Sequence, residues 1–150
     1  MKDKLTVGFI SGVIGGVCMN LFDLILVYLF RYSDVRYIDY TAIYIFGNTP
    51  VYWIDTLFAL LIHIFFTGLL GIVFIYLLSI ISNRNLLFKG GIFGVTAWFI
   101  FYSTGFLHQV PLFVKTSWPT AVSDVITSIV YGLILAITLQ RLAIKYLGKR

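Results

Sequence analysis

Three residues able to do acid–base or ligand chemistry fall inside long apolar stretches: Asp23, His63 and Asp124. Each is costly in lipid, about 2.5–3.5 kcal/mol for a central aspartate, so each is expected to face other protein. The spacing agrees. Asp23 lies on the same helical face as Gly16, His63 on that of Thr67 and Gly71, and Asp124 on that of Ser128 and Gly132. Two carboxylates and an imidazole could hold a divalent cation such as Zn²⁺. They could instead pass protons, because a histidine flanked by carboxylates titrates near neutral pH. The same groups could equally form a hydrogen-bonded network that fixes helix register, and Asp124 could point up to the headgroups.

Depth supports grouping them. At 1.5 Å per residue, Asp23, Asp124 and His63 lie roughly 10, 8 and 14 Å below the outer ends of their helices. Asn20, Ser103, Thr104 and Thr127 fall at similar levels and are expected to line the same pocket. Asp55, His108 and Gln109 are expected at its rim. The prediction is a polar pocket open to the outside and closed below by a glycine-packed half. A haem held by His63 and His108 is disfavoured, since their depths differ by about a helical turn or more.

The elements that position these residues follow from composition. The 150 residues are 60% hydrophobic and 11% charged, with a net charge of +5, and mean hydropathy is +0.98. Soluble domains carry about 25% charged residues. A soluble domain, a disordered chain, a coiled coil and a disulfide scaffold are excluded. The lone Cys18 can form no internal disulfide, CxxC pair or cysteine-based zinc site. No basic run with interleaved aromatics occurs, so no nucleic-acid partner is expected.

Four apolar runs are long enough to cross a bilayer, about 5–30, 54–82, 86–107 and 119–142, with Tyr146 as the furthest limit of the last. In lipid the backbone must satisfy itself, which makes them helices. The first run is too long for a signal-peptide core and is expected to be retained. The fold class is all-α: a polytopic membrane protein, a single transmembrane domain over residues 1–150, built as a four-transmembrane-helix bundle.

Lys2, Lys4, Arg84, Lys89, Arg141, Lys145, Lys149 and Arg150 fall on one side; Arg31, Arg36 and Lys115 fall on the other. By the positive-inside rule both termini are expected to be cytoplasmic, with the chain multi-pass in the cell membrane. The turn Asn83-Arg84-Asn85 is short, so spans two and three are expected to be antiparallel neighbours. In the external loop 31–53, Tyr37, Tyr40 and Tyr44 recur at helical spacing and Gly47-Asn48-Thr49-Pro50 ends the pattern. This predicts a short interfacial helix at the outer surface, its tyrosines at headgroup level. Trp118 and Pro119 are expected to open the fourth span.

Gly8, Gly12 and Gly16 form a small-xxx-small stripe. Gly90, Gly94 and Ala97 form a second, Ser128, Gly132 and Ala136 a third, and Gly68 and Gly71 mark the second span. These stripes predict close helix packing, either within the chain or in a homo-oligomer through the Gly8/Gly12/Gly16 face. Gly8-Phe9-Ile10-Ser11-Gly12-Val13 is similar to Gly90-Gly91-Ile92-Phe93-Gly94-Val95, as two duplicated hairpins would be.

The layout resembles small bacterial four-helix membrane proteins of the YqhR type. The matching residues are Val7-Gly8-Phe9-Ile10-Ser11-Gly12, Lys89-Gly90-Gly91-Ile92-Phe93-Gly94 with Trp98, and Ile129-Val130-Tyr131-Gly132-Leu133-Ile134. That resemblance implies a four-span topology and no catalytic residues. Small multidrug exporters, fluoride channels and quinone-linked thiol oxidases are similar in size only. The first need a glutamate, which is absent here; the second need a helix arginine after the glycines; the third need more cysteines. The expected function is that of a non-enzymatic accessory or envelope factor, recognised through its outer surface, with the bilayer and another membrane protein or itself as partners. The alternative is a small transporter or channel binding a cation or proton at Asp23, His63 and Asp124. A metal-dependent membrane enzyme ranks third. No cofactor is expected unless a divalent metal sits at those three residues.

Overall fold

The computed structural model describes residues 3–81 and 84–144, and every regular element among them is helical. Ser82 and Asn83, the extension to Tyr146, and the basic residues Lys2, Lys145, Lys149 and Arg150 lie outside the described residues. The chain folds as α1 (Lys4–Leu24), α2 (Tyr37–Phe46), α3 (Trp53–Ile81), α4 (Leu86–Leu107), α5 (Pro111–Val114) and α6 (Trp118–Leu142). A π-helical turn, Ile25–Leu29, prolongs α1. Four of these helices are long and apolar enough to cross a membrane: Lys4–Leu29, Trp53–Ile81, Leu86–Leu107 and Trp118–Leu142.

Local chemistry sets their ends. Asp3 caps α1 by accepting the Leu5 amide at 3.0 Å, and it also takes the amide and hydroxyl of Thr6. Asp55, in the first turn of α3, reaches back to accept the Tyr52 amide at 3.0 Å. These bonds satisfy donors that a helix start leaves free. Pro119 stands in the first turn of α6 as expected. The α2 helix stops at Gly47, whose φ of 78° lies in the left-handed region that a residue with a Cβ enters at a cost.

Glycines decide which helices touch. A Cβ on Gly12 would run into the Thr67 carbonyl and stand 2.9 Å from the Gly68 Cα. One on Gly8 would stand 2.9 Å from the Gly71 carbonyl. The Gly8/Gly12/Gly16 stripe therefore packs on α3 of the same chain. Gly90 and Gly132 are likewise so close that a Cβ on either would strike the other's carbonyl, which clamps α4 on α6. Gly8 and Gly90 stand at matching places in the two similar segments, and each packs on a glycine of another long helix, Gly71 and Gly132. Gly15 against the Tyr131 ring joins α1 to α6.

The helices thus run α3, α1, α6, α4 around a ring whose fourth side stays open: α3 and α4 do not pack backbone to backbone. A tight turn joins two helix ends but leaves the axes free to splay. Aromatic side chains bridge the gap, Phe74 to Phe93 with centroids 4.9 Å apart and Phe66 to Phe101 at 6.0 Å.

Candidate functional site

Asp23 stands at the end of α1, just before the π-helical turn, with 1% of its surface exposed. Its carboxylate accepts the backbone N–H of Tyr37, the first residue of α2, at 2.8 Å. A helix start concentrates free N–H groups and the positive end of the helix dipole, so an aspartate there pins the helix electrostatically. Asp39 completes the start from within, accepting the Arg36 amide at 2.9 Å and pairing with its guanidinium at 2.6 Å.

The tyrosine row of α2 then enters the bundle. The Tyr37 hydroxyl lies 3.0 Å from Ser128 Oγ, and the Tyr40 hydroxyl donates to Asp124 at 2.9 Å. The Trp98 indole also bears on the Asp124 carboxylate. Burial pushes both phenols well above the ordinary tyrosine value, and the neighbouring Asp124 charge pushes the same way. Both therefore keep their protons and stay available as donors. Tyr44 remains nearer the surface, its ring 4.8 Å from Phe101. Phe113 of α5 fills the space between α2 and α4, its centroid 4.8 Å from that of Tyr40. It fits because residue 105 is glycine, where a Cβ would stand 2.6 Å from the ring.

The expected helix in the external loop therefore exists, with its tyrosines at the expected spacing, but they do not lie flat at headgroup level. Tyr37 and Tyr40 are buried, and α2 plugs one end of the bundle. Thr127 and Ser128, expected on inward faces, are joined by Thr120 and Ser123, all four buried along α6. Such a row asks for donors from elsewhere, and tyrosine, with an apolar body and a polar tip, is the loop residue that can supply them.

The predicted pocket is consequently not open to the outside. Asn20, Asp23, Asp124 and Thr127 are all buried, and α2 covers both carboxylates, with Asp23 bonded to the Tyr37 amide and Asp124 to the Tyr40 hydroxyl. Asn20 donates to the Gly16 carbonyl and Thr127 to the Ser123 carbonyl, each at 2.7 Å. Four oxygens in this region have no partner: Asn20 Oδ1, Asp23 Oδ1, Ser123 Oγ and Asp124 Oδ1. The rim residues Asp55, His108 and Gln109 and the expected lining residues Ser103 and Thr104 lie elsewhere. Asp55 caps α3, while Thr104, His108 and Gln109 are exposed and bonded to carbonyls of α4 itself. Ser103 is half-buried.

His63 is separated from the carboxylates, its ring stacked on Tyr37 at 5.4 Å and 11°. Among the described residues no group of three or more His, Cys, Asp or Glu side chains is placed to hold a metal ion. His63 instead belongs to a second space. Behind the open side of the ring lies a cavity of about 170 Å³, walled by Phe66 and Leu70 of α3 and Trp98 and Phe101 of α4, with Ser128 and Tyr131 at its back. His63 lines it, is 5% exposed, and its Nδ1 has no hydrogen-bond partner.

No curated protein and no solved structure matches the chain. One family model does, over residues 2–146, with nothing in it that links the chain to the YqhR type. On that match, covering nearly the whole sequence, the chain belongs to DUF6789, a family of unknown function.

Proposed function

We propose that this is a multi-pass protein of the cell membrane, both termini cytoplasmic, that acts as an accessory or envelope factor through what it binds, with the cleft between α3 and α4 as its binding site. The observation that carries this reading is the open fourth side of the ring, which leads to a mostly apolar cavity with a few polar groups at its back. Sites for small molecules have that form, and they recur between the helices of bundles. The four apolar helices support insertion, and the basic residues gathered on one side support the orientation.

The test is native mass spectrometry of the protein released from membranes. The parent is expected to carry a bound apolar molecule, and Ala97→Phe, which fills the cavity, is expected to release it. A parent that carries nothing, or an Ala97→Phe variant that retains the same molecule, overturns the reading.

A second reading rests on the four unpartnered oxygens near Asp23 and Asp124, which suit a cation or a shared proton. It makes the protein a small transporter. Flux of Na⁺ or H⁺ into proteoliposomes that is lost in Asp124→Asn supports it; a parent without flux refutes it.

A further inference from the structure

We propose that Asp23 and Asp124 hold one proton between them at neutral pH, so that the place where α1, α2 and α6 meet is a proton-binding site. This builds on the second reading above and names the proton, not a metal ion, as what those oxygens take. It stands whether or not that proton crosses the membrane.

Placement comes first. Gly15 of α1 meets the Tyr131 ring of α6. Asp23 stands eight residues beyond Gly15, and Asp124 seven before Tyr131. The α2 helix bonds to both helices at that end, Tyr37 to Asp23 and Ser128 and Tyr40 to Asp124, so α1 and α6 run antiparallel. The two acids therefore stand level to about 1.5 Å of helical rise. They are 1% and 0% exposed, and the Asp23 charge acts on Asp124.

Hydrogen-bond arithmetic comes second. Each carboxylate uses one oxygen, Asp23 Oδ2 on the Tyr37 amide and Asp124 Oδ2 on the Tyr40 hydroxyl. Asp23 Oδ1, Asp124 Oδ1 and Asn20 Oδ1 have no partner. Asn20 lies three residues before Asp23, hence on its face of α1, and is 4% exposed. Ionised carboxylates and amide oxygens only accept, so three acceptors stand out of water without a donor. Of the four unpartnered oxygens, Ser123 Oγ alone can donate. A bound proton turns a carboxyl oxygen into a donor, which satisfies that oxygen and the acceptor it meets.

Charge comes third. The Arg36 guanidinium is taken by Asp39 at 2.6 Å, and among the described residues no basic side chain is ion-paired with Asp23 or Asp124. From α2 the acids meet the neutral Tyr37 and Tyr40, and from α4 the Trp98 indole. His63 of α3 lies against the Tyr37 ring. Two carboxylates out of water without a counter-cation are lower in free energy with one proton than with none. A metal ion fits less well. Hard cations take about six oxygens or more, and these four are closed to water.

The test is infrared spectroscopy of the full chain in a maltoside detergent, which has no ester carbonyl to mask an acid. The chain has six aspartates and no glutamate. Of these Asp39 is ion-paired, and Asp3, Asp34 and Asp55 are exposed or half-buried. At pH 7 the parent is expected to show the C=O band of one protonated carboxyl, shifted in D₂O. Asp23→Asn and Asp124→Asn should each remove it, because the amide N–H then supplies the donor. Asp55→Asn should leave it. A parent without the band overturns the proposal. A band kept at full strength in both Asp23→Asn and Asp124→Asn places the proton elsewhere and overturns it too. Loss in one of the two alone assigns the proton to that acid and overturns the sharing. The band without proton flux leaves this site standing and refutes transport; flux without the band does the reverse.

Discussion

The bond between Tyr40 and Asp124 decides whether α2 is a clamped plug or a loosely laid surface helix. Replacing Tyr40 by phenylalanine removes one oxygen and leaves the ring on Phe113, 4.8 Å away. Asp124 is fully buried, and its Oδ1 already lacks a partner. After the substitution neither oxygen receives the hydroxyl, which now reaches it at 2.9 Å. A hydrogen bond to a charged acceptor is worth about 1.5–3 kcal/mol and one between neutral groups about 0.5–1.5 kcal/mol. Tyr40→Phe is thus expected to cost about 2–3 kcal/mol if the carboxylate is ionised. In an Asp124→Asn background, where a neutral carbonyl accepts the same bond, the cost should fall to about 1 kcal/mol. The measurement is reversible unfolding in mixed micelles for the four members of the cycle. Hydrogen exchange over 37–46 is read alongside, because the Tyr37 amide, bonded to Asp23 at 2.8 Å, should lose protection when the plug loosens. A cost below about 0.5 kcal/mol in both backgrounds, typical of a surface change, with unchanged exchange, would show that α2 is not held by this bond.

Gly12→Ala should destabilise by about 1–3 kcal/mol or more, because the added methyl meets the Thr67 carbonyl and the Gly68 backbone rather than movable side chains. Gly91→Ala, where a Cβ meets open space, should be neutral or stabilise by up to about 1 kcal/mol in the same unfolding assay. In a Cys18→Ser background, an impermeant maleimide applied to whole cells should label Lys115→Cys and spare Arg84→Cys; the reverse pattern would invert the orientation. Stability should fall as pH rises above about 10, the ordinary tyrosine value. The folded-state pKa values of Tyr37 and Tyr40 are raised, so their contribution is complete below that value and is lost above it. A variant with both tyrosines changed to phenylalanine should show a shallower alkaline slope, and an unchanged slope would contradict their burial as donors.

Much of the architecture is legible in one dimension. The expected spans 5–30, 86–107 and 119–142 meet the helices Lys4–Leu29, Leu86–Leu107 and Trp118–Leu142 almost residue for residue. The second matches from its start to Ile81. A spanning backbone must bond to itself over a set length, so hydropathy alone carries the boundaries. The helical spacing of Tyr37, Tyr40 and Tyr44 and the stop at Gly47 are local in the same way. The inward faces of Asp23, His63 and Asp124 follow from the cost of a polar group in lipid. Periodicity says which residues share a face, and the glycine stripes say that two backbones approach closely.

Only the tertiary structure decides which backbones those are and what each shared face meets. The α2 helix could have lain on the surface, and it turns inward because Ser128 and Asp124 on α6 and Asp23 on α1, distant in sequence, complete its hydrogen bonds. Asp23 and Asp124 are both bonded to α2, while His63 stacks on Tyr37 and lines the cavity between α3 and α4. The turn near Arg84 constrains two helix ends, yet glycine contacts elsewhere hold α3 on α1 and α4 on α6 and leave the space between α3 and α4 open. Element type, length and facing residues are consequences of local backbone and solvent physics. Neighbours, plugs and cavities depend on contacts made between segments far apart in the chain, and no spacing rule along a single helix contains them.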